Sequence, residues 1–210
     1  MKTTFKRLTA FLSAAAMCGT ALHFPCTTVN KIPVAYAAEG DVAIDETNFP
    51  DEVFREYVGF QFDTTGDGLL TAEEIAEVTE ISVNELGITD LTGIAHFTNL
   101  IWLDCSNNQL TSLDMSKNTN LEEIICLSNK LTSLDVSKNT ALKWLYCEFN
   151  QLTSLDVSKN TALTALWCDA NQLTSLDVSN NTALESLNCV NNQLTSLDLS
   201  KNTALESLYC

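Results

Sequence analysis

Between Leu100 and Cys210 the chain repeats itself every 21 residues, with no insertion or deletion. The unit reads L-x-x-L-x-C-x-x-N-x-L-x-x-L-D-V-S-x-N-x-x. Ile124 replaces its second leucine once, and Met115 and Leu199 replace its valine. Units open at Leu100, Leu121, Leu142, Leu163, Leu184 and Leu205. Cys105, Cys126, Cys147, Cys168, Cys189 and Cys210 therefore fall in register, and so do Asn108, Asn129, Asn150, Asn171 and Asn192. A strict period in this range excludes most globular folds and specifies a solenoid, in which each coil contacts only its neighbours.

Within a unit the x-L-x-C segment alternates, so it reads as a short strand with Leu and Cys facing inward. Successive coils stack these strands in parallel, about 4.8 Å apart. In the third unit Leu142, Leu145, Cys147, Leu152, Leu155 and Val157 all qualify for the core. Burying each large side chain contributes ~1.5–3 kcal/mol, while ordering each residue costs about 1–2 kcal/mol, so one coil alone does not fold and a stack does. The asparagine after the strand is placed to bond the turning backbone, in its own coil and towards the next. D-V-S-x-N-T carries the same turn chemistry to the opposite side, where so short a unit leaves room only for extended or 3₁₀ turns.

Evenly spaced cysteines invite a disulfide or metal reading. These occupy a core position once per coil, with parallel side-chain vectors near ~4.8 Å, a poor match to the ~3.8 Å Cβ separation of a disulfide. No CxxC pair or partnering histidine accompanies them, and a buried free thiol behaves as a small hydrophobe.

The unit resembles a leucine-rich repeat, of the short type found in bacterial secreted and surface proteins such as the internalins. The resemblance covers about half of the chain. It implies a leucine-rich-repeat solenoid with a curved parallel sheet on the concave face, and in that family the asparagine column is called a ladder.

Residues 1–37 read as a secretory signal. Lys2, Lys6 and Arg7 precede an apolar run from Leu8 to Leu22, and Ala35-Tyr36-Ala37 supplies small residues for cleavage before Ala38. A lipoprotein signal centred on Cys18 is a competing reading, poorly matched by Ala15-Ala16-Met17. An uncleaved anchor is disfavoured because the run is shorter than the roughly 20 residues of a membrane span. Without this segment seven Lys and Arg face 27 Asp and Glu, a formal charge of −20. Such acidity argues against nucleic acid and anionic membranes. It suits an extracellular protein, a cationic partner or divalent cations. No later segment is apolar enough to span a bilayer.

Residues 38–77 are of another kind. Pro50, Asp51 and Glu52 mark a helix start, with Val53, Phe54, Tyr57 and Val58 as an apolar stripe. Asp63, Thr65, Asp67, Gly68, Thr71 and Glu74 then follow the D-x-x-x-D-G frame, ahead of a second helix through about Val78. This stretch resembles an EF-hand calcium loop. The resemblance implies side-chain ligands from Asp63, Thr65 and Asp67, the Leu69 carbonyl, Thr71 through water, and Glu74 as the bidentate ligand. Thr65 stands where the family prefers Asp or Asn, which weakens the site. Thr71-x-x-Glu74 is equally a capping box, and internalin-like proteins carry an EF-hand-like helical cap that need not hold calcium. The expectation is a weak structural Ca2+ site, with a dissociation constant on the order of 10⁻⁵–10⁻³ M, in a helix pair that seals the solenoid.

Residues 78–210 form the repeats. The first coil, 78–99, is irregular, with Leu86 where later coils place the ladder asparagine. Its His96 is expected to be exposed and not catalytic. The chain stops at Cys210, six residues into a unit. This suggests a truncated product or a fragment of a longer protein, with self-association through the open end as the alternative.

Two positions per strand vary while the scaffold does not. Trp102, Glu123 and Trp144 exemplify one, and Ile125, Tyr146 and Trp167 the other. Both flank an inward leucine and so face outward on the concave sheet. Phe149 lies at the strand edge, and Glu122, Glu123, Glu148 and Asp169 ring the cluster. Exposed aromatics with an acidic rim read as a recognition surface for an extracellular protein or glycan. The plainer reading is cross-strand stabilisation. Glu148 and Asp169 could pair as in a glycosidase, yet they sit on an open face with no pocket evident and no apolar setting that would raise a pKa. The chain is therefore read as a non-catalytic binding module, the alternative being a passive repeat scaffold or spacer of a longer surface protein.

Overall fold

The computed structural model describes residues 40–210. The signal segment expected over 1–37 lies outside the described residues. Short strand β1 (Val42–Ala43) precedes helix α1 (Glu52–Gln61). Strand β2 (Leu69–Leu70) pairs antiparallel with β1, and helix α2 (Ala72–Glu77) completes the cap. Seven parallel strands follow in sequence order. They are β3 (Glu80–Ser82), β4 (Trp102–Asp104), β5 (Glu123–Ile125), β6 (Trp144–Tyr146), β7 (Ala165–Trp167), β8 (Ser186–Asn188) and β9 (Ser207–Tyr209). Their register places Leu103, Ile124, Leu145, Leu166, Leu187 and Leu208 in one row.

The core is the column of units. Leu142, Leu145, Cys147, Leu152 and Val157 are fully buried, and their equivalents in the neighbouring coils repeat the pattern. The cysteines from Cys105 to Cys189 are free and buried, whereas Cys210 is free and exposed. Burial raises the Cys126 thiol to about 12, so these sulfurs are packing groups and not nucleophiles.

The ladder asparagines hold the strand ends. Asn150 Nδ2 donates to the Cys147 carbonyl of its own coil at 3.1 Å and to Cys126 of the preceding coil at 3.0 Å. Its Oδ1 accepts from Leu131 N–H at 3.0 Å. The ladder thus reaches back to the preceding coil, not on to the next, because the chain has already turned away from the strand. A second asparagine column runs along the opposite side through Asn118, Asn139, Asn160, Asn181 and Asn202, all buried. Asn160 Nδ2 donates to the carbonyls of Val136 and Asn139, at 3.0 and 2.8 Å. Between the two columns each repeat aspartate accepts the N–H of the serine two residues on, as Asp156 does from Ser158 at 2.8 Å. The far side is built of turns such as Asn160 N–H to Val157 carbonyl, and a 3₁₀ turn at Ile94–His96 occupies the first coil.

The cap differs in detail from its sequence pattern. Asp51 is the N-cap of α1, with Pro50 one residue earlier, and its Oδ1 accepts from Val53 and Phe54 N–H. Its Oδ2 accepts from Thr89 N–H and Oγ1, both at 2.9 Å, which ties the helix to the first coil. Phe54, Tyr57 and Val58 are buried but Val53 is exposed, since only three of the four positions fit the face that meets Phe49 and Phe97. His96 is half-buried rather than exposed, because its ring packs 5.8 Å from that of Phe49. Gly93, with φ of 104°, runs so close to Phe49 that a Cβ would overlap the ring and the Asn48 carbonyl oxygen.

Candidate functional site: the outer face of the sheet

The three-residue strands alternate about their buried leucines, which turns their first and third residues outward. Trp144 and Trp167 are 37% and 38% exposed. Trp102, Glu123, Ile125 and Tyr146 are half-buried. Tyr146 and Trp167 meet edge to face across β6 and β7, with ring centroids 5.3 Å apart and planes at 85°. Trp167 Nε1 donates to Ser186 Oγ at 3.2 Å. Lys143 Nζ bonds Glu122 Oε2 at 2.7 Å and lies 5.9 Å from the Trp144 ring centroid. Glu123 receives a side-chain hydrogen bond from Trp102, and burial with the Asp104 charge raises its carboxyl.

Phe149 is 60% exposed, and its φ is +52°. The residue before each ladder asparagine takes this left-handed conformation, at Asn107, Ser128, Phe149, Ala170 and Asn191. Asparagine tolerates it, whereas a bulky side chain there costs about 1–2 kcal/mol. The asparagines of the first and last of these coils carried the signal for this backbone, and the phenylalanine departs from it.

Glu148 corrects the sequence reading. It is 5% exposed, not part of an open acidic rim. Of the residues that follow a core cysteine, Ser106 is equally buried, whereas Leu127, Asp169 and Val190 are half-buried. Oε2 of Glu148 has no hydrogen-bond partner among the described residues. Burial raises the carboxyl to about 7, and the Asp169 charge in the next coil adds to the rise. An apolar setting that lifts a carboxyl is therefore present here. Asp169 is half-buried and also raised by burial, and its Oδ1 accepts from Asn188 Nδ2 at 2.8 Å. The grooves found elsewhere, about 150 Å³ beside Asp90 and Asp114 and about 270 Å³ beside Cys189 and Cys210, involve none of these residues.

The EF-hand-like loop is closed by its own hydrogen bonds. Glu74 is buried. Its Oε1 accepts from Thr64 N–H and Oγ1, both at 2.6 Å, and Oε2 from Thr71 N–H and Oγ1 at 2.9 and 3.0 Å. Thr71 Oγ1 in turn accepts from Glu74 N–H, which completes the capping box. Burial pushes the Glu74 carboxyl up, but these donors outweigh it and hold it at about 2. Asp63 accepts from Gly66 and Gly68 N–H, at 2.6 and 2.9 Å, and from Thr65 Oγ1. Asp67 accepts from Leu69 N–H. Among the described residues no three His, Cys, Asp or Glu side chains are grouped as a metal ion requires. In this arrangement a calcium ion would compete with Thr64 and Thr71 for the Glu74 carboxylate.

No family model matches the chain. Internalin J from two strains of Listeria monocytogenes matches over 71 residues, at 43% and 44% identity, covering 34% of this chain. The chain spans 8% of the length of these curated relatives. The functional domain of internalin J from Listeria monocytogenes, which includes a cysteine ladder, superposes with a TM-score of 0.66 at 38% identity. That likeness covers 81% of this chain and 42% of the other. A second internalin of the same organism, inlF, gives a TM-score of 0.62 at 23% identity over 79% of this chain and 57% of its own, a likeness of fold. With the 21-residue period and its cysteine and asparagine columns in register, these likenesses identify the chain as an internalin-like leucine-rich-repeat protein of bacterial type.

Proposed function

We propose that the chain is an extracellular, non-catalytic binding module that recognises a protein or glycan through the outer face of β5–β7. Trp144, Tyr146, Phe149 and Trp167 are its apolar anchors, and Trp102, Glu123 and Ile125 extend the surface. The observation that carries the reading is Phe149, a large apolar side chain held in solvent on a left-handed backbone, beside exposed Trp144 and Trp167. Packing alone gives no reason to retain it, since the same left-handed position holds Asn107, Ser128, Ala170 and Asn191 in the other coils, and large apolar side chains clustered in solvent mark an interaction surface. The test places the chain from Ala38 and its Trp144→Ala/Trp167→Ala variant on glycan and extracellular-protein arrays. Binding lost by the variant supports the reading, and silence from both proteins favours the passive scaffold.

The extracellular assignment is supported by the basic and apolar pattern of residues 1–37 and is checked by N-terminal sequencing of secreted protein, expected to begin near Ala38. The non-catalytic assignment is supported by the likeness to internalin repeat domains. Hydrolysis abolished by Glu148→Gln would overturn it. Calcium in the cap is tested by calorimetric titration of the intact chain, because Glu74→Gln would destabilise the capping box with or without a metal.

A further inference from the structure

Glu148 is the one carboxylate of the sheet face that is almost wholly buried, and one of its oxygens meets no donor. A buried acid normally finds hydrogen bonds or a counter-charge. The four donors to Glu74 illustrate the first solution. Among the described residues no Lys or Arg forms an ion pair with Glu148. Its neighbours in the coils on either side are Leu127 and Asp169, and the outward positions of β3–β9 carry no Lys or Arg. Lys143, at the rim, is engaged by Glu122 and Trp144. The charges of Glu123 and Glu148 both act on Tyr146. Negative charge thus gathers at Tyr146, whose ring meets that of Trp167 and whose strand leads into exposed Phe149, and aromatic faces attract cations.

We infer that this cluster is a subsite for a cationic side chain of a partner polypeptide, an arginine or lysine whose stem lies against Phe149 and Trp167 and whose charged head meets Glu148 and Asp169. The inference rests on the binding-face reading and narrows its partner from any protein or glycan to a basic protein segment. A basic segment supplies both what the rings take, an apolar stem with a cation, and what the unpartnered oxygen lacks, a charged donor. A neutral glycan would leave Glu148 without a counter-charge.

The probes are a hexa-arginine peptide and the neutral hexasaccharide cellohexaose, titrated into the intact chain at pH 8 and low salt and followed by tryptophan fluorescence and calorimetry. Hexa-arginine is expected to bind, cellohexaose more weakly or not at all. Glu148→Gln and Asp169→Asn are each expected to weaken hexa-arginine binding about tenfold, as the loss of a charge partner at a desolvated contact does. The control Glu56→Gln/Glu73→Gln, which removes two exposed acids of the cap, should change it by less than about twofold, since rim charges contribute little. Should Glu148→Gln fold poorly, Asp169→Asn decides alone. Equal weakening by site and control variants, or no binding of hexa-arginine, overturns the inference. If Trp144→Ala/Trp167→Ala abolishes cellohexaose binding while both carboxylate variants bind hexa-arginine as the wild type does, the binding face stands and the cationic subsite falls.

Discussion

Glu74 in the cap and Glu148 on the sheet face are both buried glutamates, and the fold treats them oppositely. Glu74 closes its loop with four donors and is held at about 2. Glu148 has an oxygen without a donor and is raised to about 7. The cap spends its polar groups on itself, as a region that seals the end of a solenoid should. The sheet face leaves an oxygen of Glu148 without a donor and holds Phe149 on a left-handed backbone. Burial is common to both acids, and the donors around each set its role.

The largest expected effect is at the junction that holds the cap. Gly93→Ala forces a Cβ into Phe49 at a left-handed backbone position, and should cost about 3 kcal/mol or more in urea denaturation. Glu74→Gln should cost roughly 2–3 kcal/mol, because the amide cannot accept at both ends from Thr64 and Thr71. Glu148→Gln should act in the other direction above pH 7. A carboxyl raised from 4.5 to about 7 in the folded state disfavours folding by up to roughly 3 kcal/mol once ionised, so removal of the charge stabilises the chain, less what the new amide loses through its own unmade bonds.

The pH dependence separates the two acids further. The stability from Glu74 is present above the unfolded value of 4.5 and is lost as pH falls through about 2. The penalty from Glu148 is absent below 4.5, grows as pH rises, and is complete above about 7. Denaturation midpoints measured from pH 4 to 8 should therefore fall with pH in the wild type and fall less in Glu148→Gln. The carboxyl in the next coil that acts on Glu148 is Asp169, itself raised by burial, while burial raises the thiols of Cys126, Cys147 and Cys168 above this range. The smallest effect is expected at Phe149. Phe149→Asn should stabilise by about 1 kcal/mol, since asparagine accepts the left-handed backbone, and should weaken binding in the same protein. A loss of stability would show instead that the ring is part of the packing.

The repeat architecture was legible because a period of 21 residues leaves no other economical fold for the leucines and cysteines. The outward placement of Trp144, Tyr146 and Trp167 followed from strand alternation alone. Three features escaped. The column from Asn118 to Asn202 was visible as the last asparagine of each unit, but its burial depends on the carbonyls of two coils, which sequence distance conceals. Phe149 looked like one more exposed aromatic, because φ is set by the turn and not by the side chain. Glu148 read as a rim acid because its enclosure comes from the coils above and below it. The calcium ligands were assigned by spacing, whereas the contest between a metal and the donors of Thr64 and Thr71 lies in three-dimensional hydrogen bonding.

The contrast between the two glutamates is tested most directly by a carboxyl ¹³C NMR titration of the intact chain, with Glu74→Gln and Glu148→Gln used for assignment. The expected result is a Glu148 midpoint near 7 and a Glu74 midpoint near 2. Two midpoints close to the ordinary glutamate value of about 4.3 would contradict it, and would mean that the sheet face carries no unmet demand for a cation.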